Sequence, residues 1–328
     1  MRFNLWEDCN RVPLTELLSF VVDNRGKTVP TAPSGHKLIA TNCVTNNTLF
    51  PVYEKIRYLS EETYQTWFRA HPIPGDILFV NKGTPGRVCL VPDPVDFCIA
   101  QDMIALRADE SKIYPKYLFA VLRSREIQQQ IYNTNVGDVI PHFKKQFLNQ
   151  LLIPIPERSI QESIGDLYYV LSLKAERNKK INDNLQQQAA ALFSSLYDRT
   201  NTEVRFTDLI QILGGGTPKT GENTYWNGNI AFFTPKDVGT PYTLSTEKTI
   251  TEEGLSHCNS RLYPVNTVFV TARGTVGKVG MSGVPMAMNQ SCYALVGKET
   301  HQLLVYFYTL KTVDRLKHKA SGAVFDAI

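Results

Sequence analysis

The sequence predicts an α+β protein in which two pseudo-repeated mixed α/β domains are joined by a long coiled-coil-type helix. Three observations carry this expectation. A series of anchor segments recurs in the same order in the two halves of the 328-residue chain. In each copy, short β-type runs punctuated by Gly, Pro and Asn give way to a stretch whose apolar residues fall near helical spacing. Between the copies lies a segment with no Pro and a single Gly, rich in Gln, Ala, Leu, Lys and Asn.

The first domain is expected over 1–155. Its segment Leu14-Thr15-Glu16-Leu17-Leu18 matches Phe206-Thr207-Asp208-Leu209-Ile210 at an offset of 192 residues. Segments 75–88 and 266–279 share Phe-Val, a basic residue, Gly-Thr-x-Gly, a second basic residue and Val, once a one-residue insertion is allowed. Gly83 then matches Gly274 at 191, and Gly137-Asp138-Val139 matches Gly322-Ala323-Val324 at 185. Strand-type runs are expected at 76–80 and 88–91 in the first copy and at 267–271 and 293–296 in the second. Helices are expected at 115–132, with Leu118, Val121, Leu122 and Ile127 inward, and at 302–319, with Leu303, Phe307, Leu310, Val313 and Leu316 inward.

The linking segment, 156–200, predicts one helix over 157–199. Pro154 and Pro156 stand before it and Ser159 is its expected N-cap. Ile160, Ile164, Leu167, Leu171, Lys174, Asn178, Ile181, Leu185, Gln188 and Leu192 alternate at four and three spacing, a coiled-coil seam with three polar positions. At about 1.5 Å per residue it would run roughly 65 Å. Such a helix needs a partner to cover its stripe. By the 185-residue offset Ile328 corresponds to Phe143, so the second domain, 201–328, stops short of its own Pro-rich approach and long helix. Self-association or a completing chain through 157–199 is the expected remedy.

Composition narrows the function class. No run of eighteen apolar residues exists, so no membrane span is expected, and charge within the first eight residues argues against a signal peptide. Six scattered cysteines without a C-x-x-C pair fit reduced thiols in a cytoplasmic protein, against a disulfide scaffold or a zinc ribbon. Lys+Arg exceed Asp+Glu by 35 to 31, with the small excess in the two repeats and balance in 156–200. Local basic patches are permitted; an overtly electrostatic binder would carry more.

The loops Lys82-Gly83-Thr84-Pro85-Gly86-Arg87 and Arg273-Gly274-Thr275-Val276-Gly277-Lys278 each offer two cations, a hydroxyl and two glycines between strands. Glycine lets backbone N–H groups approach phosphate, and Arg or Lys can reach guanine; a plain hairpin turn with solvated cations is the other reading. The loops holding Arg25 and Lys27, and Thr217 and Lys219, occupy matching places and suit backbone-phosphate contact, as does Lys236. Gly214-Gly215-Gly216-Thr217-Pro218-Lys219-Thr220 is not a P-loop, because Pro218 stands where the second glycine must be. Gln101-Asp102 and Asn289-Gln290 also match in position and could read adenine or serve strand ends. Asp93, Glu110 and Lys112 could form a Mg²⁺-dependent nuclease string, but the segments read more strongly as a reverse turn and a polar loop, and the second copy lacks them. The histidines show no metal spacing, and Trp67-Phe68, Tyr225-Trp226 and Phe232-Phe233 read as core.

Taken together, Leu151-Leu152-Ile153-Pro154-Ile155-Pro156 leading into the long helix, Gly215-Gly216-Thr217-Pro218, Tyr225-Trp226-Asn227-Gly228-Asn229-Ile230, Thr234-Pro235-Lys236-Asp237, Ser260-Arg261 and Asn289-Gln290 resemble the DNA-specificity subunit of type I restriction-modification enzymes. The resemblance covers essentially the whole chain. It implies two target-recognition domains, each reading one half of a split sequence in double-stranded DNA, held apart by long helices. It implies a non-catalytic subunit that docks modification (methyltransferase) subunits and a restriction subunit, with S-adenosylmethionine and ATP/Mg on those partners and no cofactor of its own. The expected DNA contacts are Lys82, Thr84, Arg87, Arg273, Thr275 and Lys278, then Arg25, Lys27, Thr217, Lys219 and Lys236. The rival readings are the Mg-dependent nuclease and a DNA-independent assembly adaptor.

Overall fold

The computed structural model describes residues 9–24, 28–134, 141–199, 204–239 and 241–319, and the side chains of 318 and 319 are not described. The chain divides into two compact units, Met1–Asp183 and Asn184–Ile328. The division falls inside the long helix, Arg158–Tyr197, rather than at the expected boundaries near 155 and 200.

In the first unit a four-stranded sheet runs in the order Leu18–Val22, Met103–Ala108, Ile77–Val80, Val88–Leu90, all antiparallel. A three-stranded sheet, Arg57–Leu59, His36–Ile39, Phe97–Ile99, pairs its last two strands in parallel. The alternation of side chains makes each strand serve two cores. Ile77, Phe79, Ile104 and Leu106 face the helical layer, with Tyr117, Leu118, Val121, Leu122, Phe143 and Ile153, while Leu78, Val80, Met103 and Ala105 meet Ile39, Phe97 and Ile99 of the smaller sheet. Helix Glu61–Thr66, capped by the Ser60 hydroxyl accepting from Thr63 N–H, and the Tyr64, Trp67 and Phe68 that follow its course cover the outer face of that sheet.

The second unit repeats this plan. Its larger sheet runs Ile210–Gly214, Cys292–Gly297, Val268–Thr271, Val279–Ser282, with Tyr242–Thr243 added at the edge. Its smaller sheet is Lys248–Ile250, Trp226–Phe233, Met286–Met288, again with one parallel pair. Helix Glu252–Ser256 is capped by Thr251 as Glu61–Thr66 is by Ser60. Phe232 and Phe233 are core, and Trp226 packs edge-on against Phe232. The duplication read from the sequence is a duplication of topology.

Three details differ from expectation. The stretch 115–132 is two helices, Pro115–Leu122 and Arg125–Asn133. Arg123 leaves the first to donate to the carbonyls of Thr45, Thr48 and Val88, and Ser124 caps the second by accepting from Ile127 N–H. The long helix begins at Arg158, before Ser159, so Ser159 is not its cap. No insertion separates the two loop hairpins: Val80 N–H donates to Arg87 O as Thr271 N–H does to Lys278 O, a constant offset of 191. Phe79 therefore corresponds to Val270 and not to Phe269, which faces the opposite core; a one-residue slip in a strand reverses its faces. As expected of a helix that needs a partner, only the start of the helical seam is covered. Ile164, Tyr168, Tyr169 and Leu173 pack on the first unit's core, and Phe193 stacks on Phe307 within the second unit. Leu167, Leu171, Ile181, Leu185 and Leu192 are each more than half exposed.

Candidate nucleic-acid interface

Each large sheet ends in the same hairpin loop. In the first unit, Ile77–Val80 and Val88–Leu90 are joined by residues 81–87, closed by Gly86 N–H donating to Val80 O at 3.0 Å. In the second, Val268–Thr271 and Val279–Ser282 are joined by residues 272–278, closed by Gly277 N–H donating to Thr271 O at 2.8 Å. Gly83, Gly86, Gly274 and Gly277 all have φ between 73° and 86°, a left-handed backbone that explains the glycine at each position. The turn reading of these glycines is thus correct. It leaves the cations unspent: Lys82, Arg87, Arg273 and Lys278 are exposed, and their side chains have no partner among the described residues. Thr84 is half-buried and Thr275 exposed.

The loops are held against the next turn in each unit. Asn81 and Lys82 N–H donate to Asp102 O, and Ala272 N–H donates to Ser291 O. In the first unit the segment 141–143 also closes on the loop, through Gly83 N–H to Pro141 O and Phe143 N–H to Asn81 O.

The second unit builds a cleft of about 650 Å³ around its loop, lined by Thr234, Lys236, Glu247, Lys248, Arg273, Thr275, Lys278, Asn289 and Ser291 among others. Four cations face one carboxylate there, a field that favours an anionic partner. Asp237 builds the rim: its carboxylate accepts from Thr234 N–H and hydroxyl and from Glu247 N–H, which sets Lys236 and Lys248 on either side. Arg273, Thr275, Lys278 and Lys236, expected from sequence, are thus brought together. Lys248 was missed. It enters the cleft because Lys248–Ile250 pairs with Trp226–Phe233, a non-local register, and the signal available was only its place beside an alternating run.

Thr217 and Lys219 stand outside that lining. The glycines before Thr217 serve close packing: a Cβ on Gly215 would lie 2.3 Å from Asn289 O. The Thr217 hydroxyl donates to the Gln290 side-chain carbonyl, and Lys219 is exposed. Arg25 and Lys27 lie outside the described residues.

The nuclease string does not assemble. Asp93 and Glu110 line one cleft of about 360 Å³ with Tyr114 and Tyr169. Lys112 turns away, to the Asp109 carboxylate and Glu16 O. Among the described residues no group of three His, Cys, Asp or Glu side chains could hold a metal ion. No described helix is long and apolar enough to cross a membrane.

The sequence profile of the family described as Type I restriction modification DNA specificity domain matches residues 23–187 and 199–326. This chain belongs to that family. The type I DNA-specificity family member is 31% identical over 127 residues to the MjaIX specificity subunit of Methanocaldococcus jannaschii, covering 37% of this chain and 29% of that one. It is 31% identical over 205 residues to the EcoR124I/EcoR124II specificity subunit of Escherichia coli, covering 55% of this chain and 50% of that one. These matches thus span half or less of the relatives' own length. Its fold matches the crystal structure of a type I restriction-modification S subunit from M. genitalium with a TM-score of 0.61 at 16% identity, over 98% of this chain and 82% of that one.

Proposed function

We propose that this chain is the sequence-reading, non-catalytic subunit of a type I restriction-modification assembly, each unit reading one half of a bipartite site in double-stranded DNA. The observation that carries this is the recurrence, on two units that share the strand order of their sheets apart from an added edge strand in the second, of a strand-end loop with two uncommitted cations. Lys236, Lys248 and Lys278 are assigned to phosphate, which positions the protein, and the loop tips to base edges. Lys82, Thr84 and Arg87 take the corresponding role in the first unit. The assembly would act in the cytoplasm, with modification subunits carrying S-adenosylmethionine and a restriction subunit using ATP and Mg²⁺.

The exposed stripe Leu167, Leu171, Ile181, Leu185 and Leu192 is the proposed seat of a second chain, either another copy or a completing subunit. The reading is tested by selecting duplexes from a randomised pool with the full chain and its modification partner. Two short conserved blocks separated by a fixed gap are expected. A flat sequence distribution, or Mg²⁺-dependent cleavage lost in Asp93→Ala, would overturn it.

A further inference from the structure

The cleft of the second unit has a chemistry more specific than positive charge. Arg273 stands on its wall with no partner among the described residues. Ala272 N–H, bonded to Ser291 O at 2.8 Å, ties its loop to the turn 289–291, so Arg273 and Asn289 line the same space. That turn is itself fixed, by Asn289 N–H donating to Phe233 O and Cys292 N–H donating to Asn289 O.

Both amides of this turn have their carbonyl oxygens engaged. Asn289 Oδ1 accepts from Ser291 N–H at 3.0 Å, and Gln290 Oε1 accepts from the Thr217 hydroxyl. An amide reads adenine by accepting from N6 while donating to N7, which requires that oxygen. The turn bond takes one of the two lone pairs of Asn289 Oδ1, whereas its NH₂ group has no partner among the described residues and is the freer end at the cleft. The guanidinium of Arg273 adds donors only. Thr234 spends its hydroxyl hydrogen on Asp237. The side-chain acceptors left on the wall are the hydroxyl oxygens of Thr234, Thr275 and Ser291, the second lone pair of Asn289 Oδ1 and the Glu247 carboxylate, which lies 3.9 Å from Lys236 Nζ.

A donor cluster of this kind matches the one base edge in the major groove that offers two acceptors and no donor, the N7 and O6 of guanine. We propose that the second unit reads guanine, with Arg273 bidentate to N7 and O6 and the Asn289 amide NH₂ group beside it. The shared bond to the loop pairs Asp102 with Ser291, and so Gln101 with Gln290 and Ala100 with Asn289, one residue from the match read in the sequence; the Asn289 amide therefore belongs to the second unit alone. The inference rests on the DNA-reading function proposed above and adds the base class to it.

The test uses the full chain and the duplex selected from a randomised pool. Each guanine is replaced in turn by 7-deazaguanine, which removes N7, and by inosine, which keeps N7 and O6. At one position in one block, 7-deazaguanine is expected to weaken binding by roughly tenfold or more, and inosine to leave it unchanged. Arg273→Ala is expected to cause a comparable loss and to abolish the further effect of 7-deazaguanine at that position. Asn289→Ala is expected to reduce the same discrimination in part. A selected block in which Arg273→Ala leaves every guanine dependence in place overturns the inference while sparing the DNA-reading function. A pool showing no preference at all removes both.

Discussion

Gly165 gives a test in which two effects of opposite sign compete. It lies in the first turns of the long helix, and a Cβ there would stand 2.6 Å from Tyr117 N, 2.9 Å from the Tyr114 ring and 3.0 Å from Lys116 C. Replacing a mid-helix glycine by alanine ordinarily stabilises by about 1 kcal/mol. Here two of the three nearest atoms are backbone of the helix Pro115–Leu122, which no rotamer change can clear. Overpacking against backbone this close lies in the upper part of the usual range, about 2–3 kcal/mol. The overpacking wins, and Gly165→Ala is expected to destabilise the first unit by about 1–2 kcal/mol net. At about 2–4 °C per kcal/mol for a unit of this size, its thermal transition should fall by roughly 2–8 °C. Gly165→Val should fall further, since the contact of Ile164, Tyr168, Tyr169 and Leu173 with the core depends on the same approach. A Gly165→Ala variant that melts higher than the parent would show that the helix does not seat on that backbone.

Lys278→Ala should weaken DNA binding evenly across sequences and reduce the slope of log affinity against log salt by about 0.9, whereas Arg273→Ala should leave the slope unchanged; equal slopes for Lys278→Ala and the parent would remove Lys278 from the phosphate. Asp76 is buried and accepts from Arg107 Nε at 2.9 Å, Arg107 Nη2 at 3.0 Å and Ile73 N–H at 2.9 Å, so Asp76→Ala should cost about 2–3 kcal/mol in urea unfolding, less than a fully buried pair because Arg107 can rehydrate. Adding Arg107→Met should recover part of that loss, and no recovery would argue against the pair. Burial holds the His71 imidazole, stacked on Tyr64, below its ordinary value. The unfolded chain then binds the proton first, so stability should fall as pH drops below about 6.5, and His71→Gln should flatten that part of the unfolding profile; an unchanged profile would refute the assignment. Leu171→Glu with Leu185→Glu should leave the thermal transition in place and abolish self-association in sedimentation; a parent chain that already runs as a 37.0 kDa monomer at micromolar concentration would count against the second copy.

The duplication and the long helix were legible because each leaves a local trace: paired glycines at positive φ, a Gly- and Pro-poor heptad run, and anchors in constant order. The Phe-Val identity that invited an insertion was misleading, since strand faces are set by pairing partners distant in sequence, here Ile104 for Phe79 and Tyr293 for Val270. The break at Arg123 and Ser124 was hidden because apolar spacing continues through it, and only the tertiary carbonyls that Arg123 reaches make leaving the helix favourable. In the candidate site the loop cations could be named from sequence. Lys248 could not, nor could the engagement of the Asn289 and Gln290 oxygens, which depends on how a turn folds back on itself and on Thr217, 73 residues away.

The separateness of the two readers is tested most directly by exchange. Cells carrying the chain with its modification partner are compared with cells in which residues 204–319 are replaced by the corresponding unit of a relative, and methylated positions are mapped across the genome. One block of the methylated sequence should change while the other block stays as it was. A methylated sequence that is unaltered, or altered in both blocks at once, would contradict the claim that each unit reads its own half of the site.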